Sequence, residues 1–190
     1  MINLKFIQHG WLNIKRIISP NYNQRPDNTD ISLIVIHNIS LPPDNFDNYK
    51  NAYIDKLFTN CLDPKSHPYF EKIYNVQVSS HFLIQRDGEM IQYVNVNDRA
   101  WHAGKSTFNG VENCNDYSVS IELEGSDNTR FTPEQYKNLV CLINFLKIAY
   151  PSIKYITGHS YIAPVRKTDP GPYFKWENLN QKIGDIVLLY

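Results

Sequence analysis

The sequence predicts a mixed α/β fold in which a central mixed β-sheet is flanked by helices. Residues 31–37 form an almost entirely apolar, β-branched run, which is typical of a strand buried on both faces. Residues 118–124 alternate between polar and apolar side chains, which indicates a second strand with two different faces. Residues 132–150 place apolar side chains at helical spacing behind a Thr-Pro-Glu-Gln start. Strands joined by hairpin and crossover connections favour a mixed sheet with helices on its faces.

The remaining elements follow from local signals along the chain. Asp87-Gly88 separates two strand-like runs and is a strong hairpin signal, and Pro151 stops the long helix. A polar, aromatic-containing connection of residues 97–115 has a length typical of functional or disordered loops. The predicted elements, in chain order, are strands at 31–37, 78–85, 89–96, 118–124 and 155–157, and helices at 49–62, 132–150 and 176–187.

Length and charge limit the domain organisation and the partners. The chain has 190 residues, of which 42% are apolar, and this suits one core-forming domain. Residues 1–30 contain Pro20 and Pro26 and are predicted as an irregular arm that packs on a domain of residues 31–190. The formal net charge is zero, so we expect neither nucleic acid nor an acidic membrane as a partner, and no obligate protein partner is evident.

Cysteine usage and hydropathy predict a cytoplasmic protein. The chain has an odd number of cysteines and no CxxC pair: Cys61, Cys114 and Cys141. This pattern favours reduced thiols, and a secreted protein with one disulfide is the alternative. No apolar signal segment follows the first residues. No apolar run approaches the roughly 20 residues that span a bilayer.

The most informative segment for chemistry is residues 158–172. It carries His159, Lys167 and Asp169 on a proline-rich stretch that is not predicted to be helical. His37 ends the first long strand and His159 follows the last predicted one, so their side chains are expected at one edge of the sheet. Two histidines and a carboxylate, with a fourth position open to water, are the composition of a catalytic zinc site. A lone histidine at a strand end is more often a core residue, so spacing alone leaves the ligand role open.

Two further positions could complete a hydrolytic site. Glu122 and Glu124 share one strand face, and a metal-activated water needs a carboxylate base within hydrogen-bond reach. A solvated strand face is the common alternative, and spacing does not choose between the two glutamates. Lys167 is suited to stabilising an oxyanion and Arg166 to pairing with a substrate carboxylate, although exposed cations would give the same pattern.

Two aromatic positions remain ambiguous from the sequence. Trp101 lies near Gly104 in the polar loop, which suits a flat ligand such as a sugar, but a core-anchoring tryptophan fits equally well. His81 lies within a predicted strand and is interpreted as structural.

Short motifs distributed along the chain resemble a known family. They are His37-Asn38-Ile39-Ser40-Leu41-Pro42-Pro43, Asp63-Pro64 with His67-Pro68-Tyr69-Phe70, Ser80-His81-Phe82-Leu83-Ile84, Arg86-Asp87-Gly88, Trp101-His102-Ala103-Gly104, Cys114-Asn115-Asp116, Ile121-Glu122-Leu123-Glu124-Gly125 and Lys167-Thr168-Asp169-Pro170-Gly171-Pro172. Together they resemble the zinc amidases of the Amidase_2 and peptidoglycan-recognition superfamily, from about Gly10 to Trp176. Leu41-Pro42-Pro43 and the 168–172 motif are most similar to the cytoplasmic members.

The resemblance implies a role for each matching residue. It implies a single amidase-like domain in which His37, His159 and Asp169 hold zinc, Glu122 is the catalytic carboxylate and Lys167 stabilises the transition state. The substrate contacts that it implies are Asn38, Tyr69, Trp101, Asn115 and Arg166. Gln77 and Asn113 stand where we expect arginines, so the charge-assisted contacts to peptide carboxylates are predicted to differ here.

The activity implied by the resemblance is hydrolysis of the lactyl amide between (1,6-anhydro-)N-acetylmuramic acid and L-alanine. The substrate would be a small cytoplasmic muropeptide, with or without N-acetylglucosamine, in peptidoglycan recycling. A non-catalytic peptidoglycan-recognition module is the alternative, and the complete ligand and catalytic set argues against it. An amidase that acts on intact cell wall is a further alternative, against which the missing export signal argues.

Overall fold

The computed structural model describes residues 3–46, 51–180 and 182–190. The strands are β1 (Phe6–Gln8), β2 (Trp11–Leu12), β3 (Lys15–Arg16), β4 (Tyr22–Gln24), β5 (Leu33–Ile39), β6 (Phe82–Ile84), β7 (Met90–Gln92), β8 (Asp98–Ala100), β9 (Thr107–Phe108), β10 (Val111–Glu112), β11 (Ser118–Glu124), β12 (Tyr155–Gly158) and β13 (Val187–Leu189). The α-helices are α1 (Tyr53–Phe58), α2 (Pro133–Ala149), α3 (His159–Ile162) and α4 (Glu177–Asn180). Short 3-10 helices cover Pro64–Ser66, Pro68–Lys72 and Cys114–Asp116.

A seven-stranded mixed sheet forms the centre of the molecule, in the order β13-β12-β5-β11-β6-β7-β3. The five strands from β13 to β6 are mutually parallel, whereas β7 runs antiparallel to β6. This arrangement confirms the predicted central mixed sheet. Because the carboxyl ends of parallel strands meet at one edge, side chains there can converge.

The two faces of the sheet are both covered. Apolar residues of β5 and β11, among them Ile36 and Ile121, pack with Leu139 and Leu142 of α2 in one large core cluster. On the opposite face, Leu33 of β5 lies in a smaller cluster under the loop of residues 97–115, and α1 packs in another. All seven residues of β11 are buried, so its polar side chains face protein and not bulk solvent.

The start of the long helix and the turn at Asp87-Gly88 both form as the sequence predicts. The hydroxyl of Thr132 accepts a hydrogen bond from the Gln135 backbone at 3.1 Å, and the Gln135 side chain accepts one from the Thr132 backbone at 3.0 Å. This capping box starts α2, and the helix ends just before Pro151. Gly88 has a φ of +92° in the turn between β6 and β7, a conformation that glycine adopts without strain.

Three predicted segments differ from the structure. The C-terminal helix expected at 176–187 is wrong in its extent, because α4 is the only helical part of the residues described in this range and the chain then turns at Gly184, with a φ of +65°, into β13. The proline-rich segment 158–172 was not expected to be helical, yet its first residues form the single turn α3 before Pro164. The irregular arm contains short strands, of which β3 joins the central sheet and β4 pairs with β8.

Two further expectations concern a helix and membrane spans. The predicted helix of residues 49–62 starts outside the described residues, and its described part is helical only over α1. Among the described residues, no helix combines the length and apolar character needed to cross a membrane.

Candidate metal and catalytic site

Three parallel strands bring the predicted site residues to one edge of the sheet. His37, near the end of β5, is in direct register with Glu122 of β11. His159 follows Gly158, the last residue of β12, which pairs with Ile36. His37, Glu122 and His159 therefore lie at the same level on neighbouring strands, because the registers leave each of them at a carboxyl end.

Asp169 reaches this edge from the proline-rich loop. The backbone N–H of Ser160 donates to the carbonyl oxygen of Asp169 at 2.9 Å, which closes the loop beside α3. Oδ2 of Asp169 then lies 2.9 Å from Nδ1 of His37 and 3.0 Å from Nδ1 of His159. One ligand atom from each of these three residues lies within 4.8 Å of the others.

The donor set fits a zinc ion. Both imidazoles turn Nδ1 toward the same carboxylate oxygen, while their Nε2 atoms contact other groups: His102 for His37 and the carbonyl of Ala103 for His159. Two imidazoles, each held by an outer hydrogen bond, and one carboxylate are a common protein environment for catalytic zinc.

The protonation states of His37 and Asp169 also suit a metal. Burial, together with the proximity of His159, lowers the pKa of His37 to about 4 against the opposing effect of Asp169. Burial alone would raise the pKa of Asp169, but its hydrogen bonds with His159 and His37 outweigh this and hold the pKa well below its usual range. A neutral imidazole beside an ionised carboxylate is the state that metal ligation requires.

The two candidate glutamates have different environments. Glu122 is buried at the metal cluster, and its Oε2 has no hydrogen-bond partner among the described residues. Burial, reinforced by the charge of Asp169, raises the pKa of Glu122 well above its usual value, although Lys167 opposes this shift. Glu124 is also buried, but its Oε2 accepts a hydrogen bond from the backbone of Arg86 at 3.0 Å. The environment of Glu122 therefore suits a proton-transfer group, whereas that of Glu124 is structural.

A cleft of about 380 Å³ opens onto this cluster. Its polar lining includes His37, Asn38, Tyr69, His102, Glu122, His159, Lys167 and Asp169, and its apolar wall includes Leu41, Leu57, Phe58, Ile73, Val76 and Val78. Of the five predicted substrate contacts, Asn38 and Tyr69 lie in this lining. Asn38 Nδ2 donates to Asp127 at 2.8 Å, which fixes the amide at the cleft.

The other three predicted contacts lie around the cleft. Arg166 lines an adjoining depression with Lys167, and its Nη2 donates to the carbonyls of Ala103 and Lys105. The Trp101 indole donates to Asn23 at 2.7 Å, and Asn115 is buried with its Oδ1 bonded to backbone N–H groups. Direct contact of these three residues with substrate stays a prediction.

The positions without the expected arginines lie on the surface. Gln77 and Asn113 are both exposed, and Asn113 adopts a φ of +59° before the 3-10 helix Cys114–Asp116. Neither side chain belongs to the cleft lining described above. His81 is buried away from the ligand cluster, where its Nδ1 lies 2.9 Å from the Ser120 hydroxyl.

Two residues near the site had no role in the sequence-based prediction. His102 belongs to the Trp101–Gly104 motif, yet its contact with His37 at 3.0 Å joins residues 65 positions apart. Arg25 lies in the arm and donates to carbonyl oxygens of residues 96, 115, 116 and 118. The Trp101–Gly104 motif could have indicated that His102 lies near the site, whereas nothing in the sequence around Arg25 indicates its role.

Comparison with protein families gives a match over most of the chain. The family Amidase_2, described as N-acetylmuramoyl-L-alanine amidase, matches residues 27–172. The 1,6-anhydro-N-acetylmuramyl-L-alanine amidase AmpD of Citrobacter freundii is 51% identical over 172 residues, which are 90% of this chain and 90% of that protein. The AmpD of Haemophilus influenzae is 51% identical over 180 residues, covering 93% and 96% of the two chains.

Solved structures give the same result for the fold. The crystal structure of a selenomethionine AmpD derivative superposes with a TM-score of 0.90 at 49% identity, covering 94% of this chain and 99% of that one. The amidase AmiD from Escherichia coli, solved with anhydro-N-acetylmuramic acid-L-Ala-D-γ-Glu-L-Lys, has a TM-score of 0.59 at 29% identity and covers 84% of this chain and 60% of AmiD.

Proposed function

The chain belongs to the N-acetylmuramoyl-L-alanine amidase family, and we propose that it hydrolyses the lactyl amide between 1,6-anhydro-N-acetylmuramic acid and L-alanine. The relatives that share about half of its residues over nine-tenths of its length are named for that substrate. AmiD, a more distant relative, was solved with a muropeptide of the same kind. The proposed substrate is therefore a small muropeptide, with or without N-acetylglucosamine.

The observation that carries the catalytic proposal is the cluster of His37, His159 and Asp169 beside Glu122. These three residues would hold a zinc ion, which when bound activates water and polarises the amide carbonyl. Their hydrogen bonds fix the donor atoms before any metal arrives. Such preorganisation supports a catalytic use of the site, because the ligands lie at the floor of an open cleft.

Glu122 is the proposed general base and general acid. Its carboxylate takes a proton from the attacking water and later delivers that proton to the departing amine of L-alanine. A pKa raised by burial favours both steps near neutral pH, because the carboxyl group can then hold the proton between them. The Oε2 atom that lacks a partner among the described residues is free for this exchange.

Lys167 is proposed to stabilise the negative charge that develops on the amide oxygen. It lines the cleft with Glu122 and Asp169, and its positive charge acts on Glu122, which supports this role. Asn38, Tyr69, Trp101, Asn115 and Arg166 remain the proposed substrate contacts, of which Asn38 and Tyr69 already line the cleft. We further propose the cytoplasm and peptidoglycan recycling as the setting, with residues 1–30 as an arm on a domain of residues 31–190.

Mass spectrometry of purified anhydromuropeptide treated with the protein tests this function. We expect cleavage at the lactyl–alanine bond that is lost with a chelator and restored by zinc. Cleavage that persists after complete metal removal, or that occurs at another bond, would contradict the proposal. In the same assay Lys167→Ala should lower kcat by roughly 10²–10³ with an unchanged zinc content, by analogy with loss of one oxyanion donor.

Intact cell wall is the control substrate in that experiment. A protein dedicated to small muropeptides releases little L-alanine-linked peptide from it, whereas an autolytic amidase degrades it as fast as the soluble substrate. Rapid degradation of intact wall would therefore replace the recycling role with an autolytic one.

A further inference from the structure

Both candidate metal histidines bond their second ring nitrogen to the same two-residue segment, His102-Ala103. Nε2 of His37 lies 3.0 Å from Nδ1 of His102, and Nε2 of His159 lies 3.1 Å from the carbonyl oxygen of Ala103. The sequence separations are 65 and 56 residues, so these contacts depend on the fold. One short segment therefore contacts the side of each imidazole that faces away from the metal position.

A chain of hydrogen bonds determines which nitrogen of His37 carries the proton. The Ser118 hydroxyl donates to the carbonyl of Cys114 at 2.6 Å, so its oxygen can only accept from Nε2 of His102, which lies 2.9 Å away. His102 is enclosed between His37 and Ser118 and forms no hydrogen bond to a carboxylate among the described residues, so nothing there stabilises a second proton on its ring. A neutral His102 that donates from Nε2 has a lone pair on Nδ1, which then accepts the proton of His37 Nε2.

The same result follows more directly for His159. A carbonyl oxygen only accepts, so the Ala103 carbonyl requires a proton on Nε2 of His159. Nη2 of Arg166 donates to that carbonyl as well, at 2.6 Å, and uses its second lone pair. The outer contacts of both histidines thus favour a proton on Nε2. In the metal-free site Asp169 competes for a proton on Nδ1, and that atom gives up its proton when a metal binds.

Asn115 fixes the position of the segment. Its Oδ1 accepts hydrogen bonds from the backbone N–H groups of both His102, at 3.1 Å, and Ala103, at 2.8 Å. The side chain is buried at 6% exposure, so this double acceptor is shielded from water. A buried amide with its oxygen fully used on the backbone is suited to positioning the loop.

We propose that His102 and Asn115 are positioning residues that hold both metal histidines in the tautomer and orientation required for zinc. His102 acts directly on His37, and Asn115 acts on both histidines through the His102-Ala103 segment. This inference rests on the zinc site of the proposed function. It assigns Asn115 a role distinct from the substrate contact that the family resemblance implies.

The zinc affinity of His102 variants, measured by competition with a chromophoric chelator, tests the proposal without using turnover. His102→Ala removes the acceptor for His37 and should weaken zinc binding by about 10–100-fold, as loss of an outer hydrogen bond does elsewhere. His102→Asn can return an acceptor oxygen to the Nδ1 position and should recover a large part of that affinity. A zinc affinity of His102→Ala equal to that of the wild-type protein overturns the proposal.

His81→Ala is the matched control for this comparison. His81 is also buried and also bonds to a serine of β11, but it makes no hydrogen bond to a metal histidine. It should lose stability and keep its zinc affinity. If the wild-type protein binds no zinc, the proposed function fails; if it binds zinc and His81→Ala weakens binding as much as His102→Ala, only the positioning role fails.

Nitrogen-15 NMR of the zinc-loaded wild-type protein gives a second test that needs no variant. Two-bond and three-bond couplings distinguish the tautomers: His37 and His159 should be protonated on Nε2 and not on Nδ1, and His102 should also be protonated on Nε2 only. A proton on Nδ1 of His102, or a missing Nε2 proton on His37 or His159, overturns the proposed tautomer control, whether or not the His102 variants fold.

Asn115 variants separate its two assigned roles. Under the positioning role, Asn115→Ala weakens zinc binding, and Asn115→Asp, which keeps the acceptor oxygen, restores it in part. A higher KM for muropeptide with an unchanged zinc affinity overturns the positioning role and supports direct substrate contact.

Discussion

The two faces of β11 differ in the kind of interaction that holds them, although both are buried. On one face, Val119, Ile121 and Leu123 pack in the large apolar cluster with α2. The hydrophobic effect that stabilises this packing does not require partners in specific orientations. The opposite face carries Ser118, Ser120, Glu122 and Glu124, and buried polar groups require specific partners.

Three of the four polar side chains have such partners. Ser118 donates to the Cys114 carbonyl, Ser120 accepts from the His81 backbone, and Glu124 accepts from the Arg86 backbone. Glu122 is different, because its Oε2 has none among the described residues. The apolar face of β11 thus contributes to stability, and its polar face contributes to the proposed reaction. Oε2 of Glu122, which has no partner among the described residues, lies where that reaction is proposed.

Replacing Glu122 on the polar face is expected to have the largest effect, which is on kcat. Glu122→Gln keeps the shape of the side chain but removes proton transfer, so kcat should fall by about 10²–10⁴ while zinc content stays at the wild-type level. Glu124→Gln is the matched variant on the same face and should keep kcat near the wild-type value. Kinetics and metal analysis on both proteins check this, and a larger loss of kcat in Glu124→Gln would exchange the roles.

Replacing Ile121 should give the opposite pattern. Ile121→Ala leaves a cavity against α2 and should lower the free energy of unfolding by about 2–5 kcal/mol, while kcat per folded molecule stays unchanged. Ile121→Val should cost about 0.5–1.5 kcal/mol. Urea unfolding and kcat measured well below the melting temperature check both, and a large loss of kcat in the folded fraction would show that the two faces are coupled.

Lowering the pH should destabilise the folded protein through the buried His81 beside the polar face of β11. The change in stability per pH unit is the smallest of the three expected effects. Burial, together with the charge of Arg25, lowers the pKa of His81 to about 3, whereas the unfolded chain has the ordinary value near 6.5. The unfolded state therefore binds more protons below about pH 6.5, and stability falls toward pH 3 by up to about 1.4 kcal/mol per pH unit for this residue.

Urea unfolding of the metal-free protein at several pH values between about 7.5 and 5 measures this slope. His81→Gln removes one of the titrating groups and should make the slope shallower. An identical slope in the variant would show that His81 is not held neutral in the folded protein.

Much of the scaffold could be predicted because its signals are local. The apolar run that became β5, the alternation of β11 and the capping box of α2 each depend on residues that are neighbours in sequence. The convergence of His37 and His159 followed from the rule that parallel strands end at one edge. The C-terminal segment failed because its helical spacing is outweighed by the turn at Gly184 and by pairing of β13 with β12.

The outer hydrogen bonds of the site could not be predicted in this way. The contact from His37 to His102, and then to Ser118, depends on how a loop folds over the sheet. Neither residue type nor spacing indicates such a contact. Spacing also could not choose between Glu122 and Glu124, because the two side chains share a face and differ only in their surroundings; the family resemblance is what favoured Glu122.

The position of Arg25 shows that the region matched by the family is shorter than the region that folds together. The family match begins at residue 27, just beyond this arginine. Its guanidinium nevertheless donates to the carbonyls of Asn115, Asp116 and Ser118, next to the segment that holds the metal histidines. A chain trimmed to the family boundary would retain every residue with a proposed catalytic role and still leave those carbonyls without their donor. For this protein, the boundary of the recognisable motif region is therefore a poor guide to where the chain can be cut.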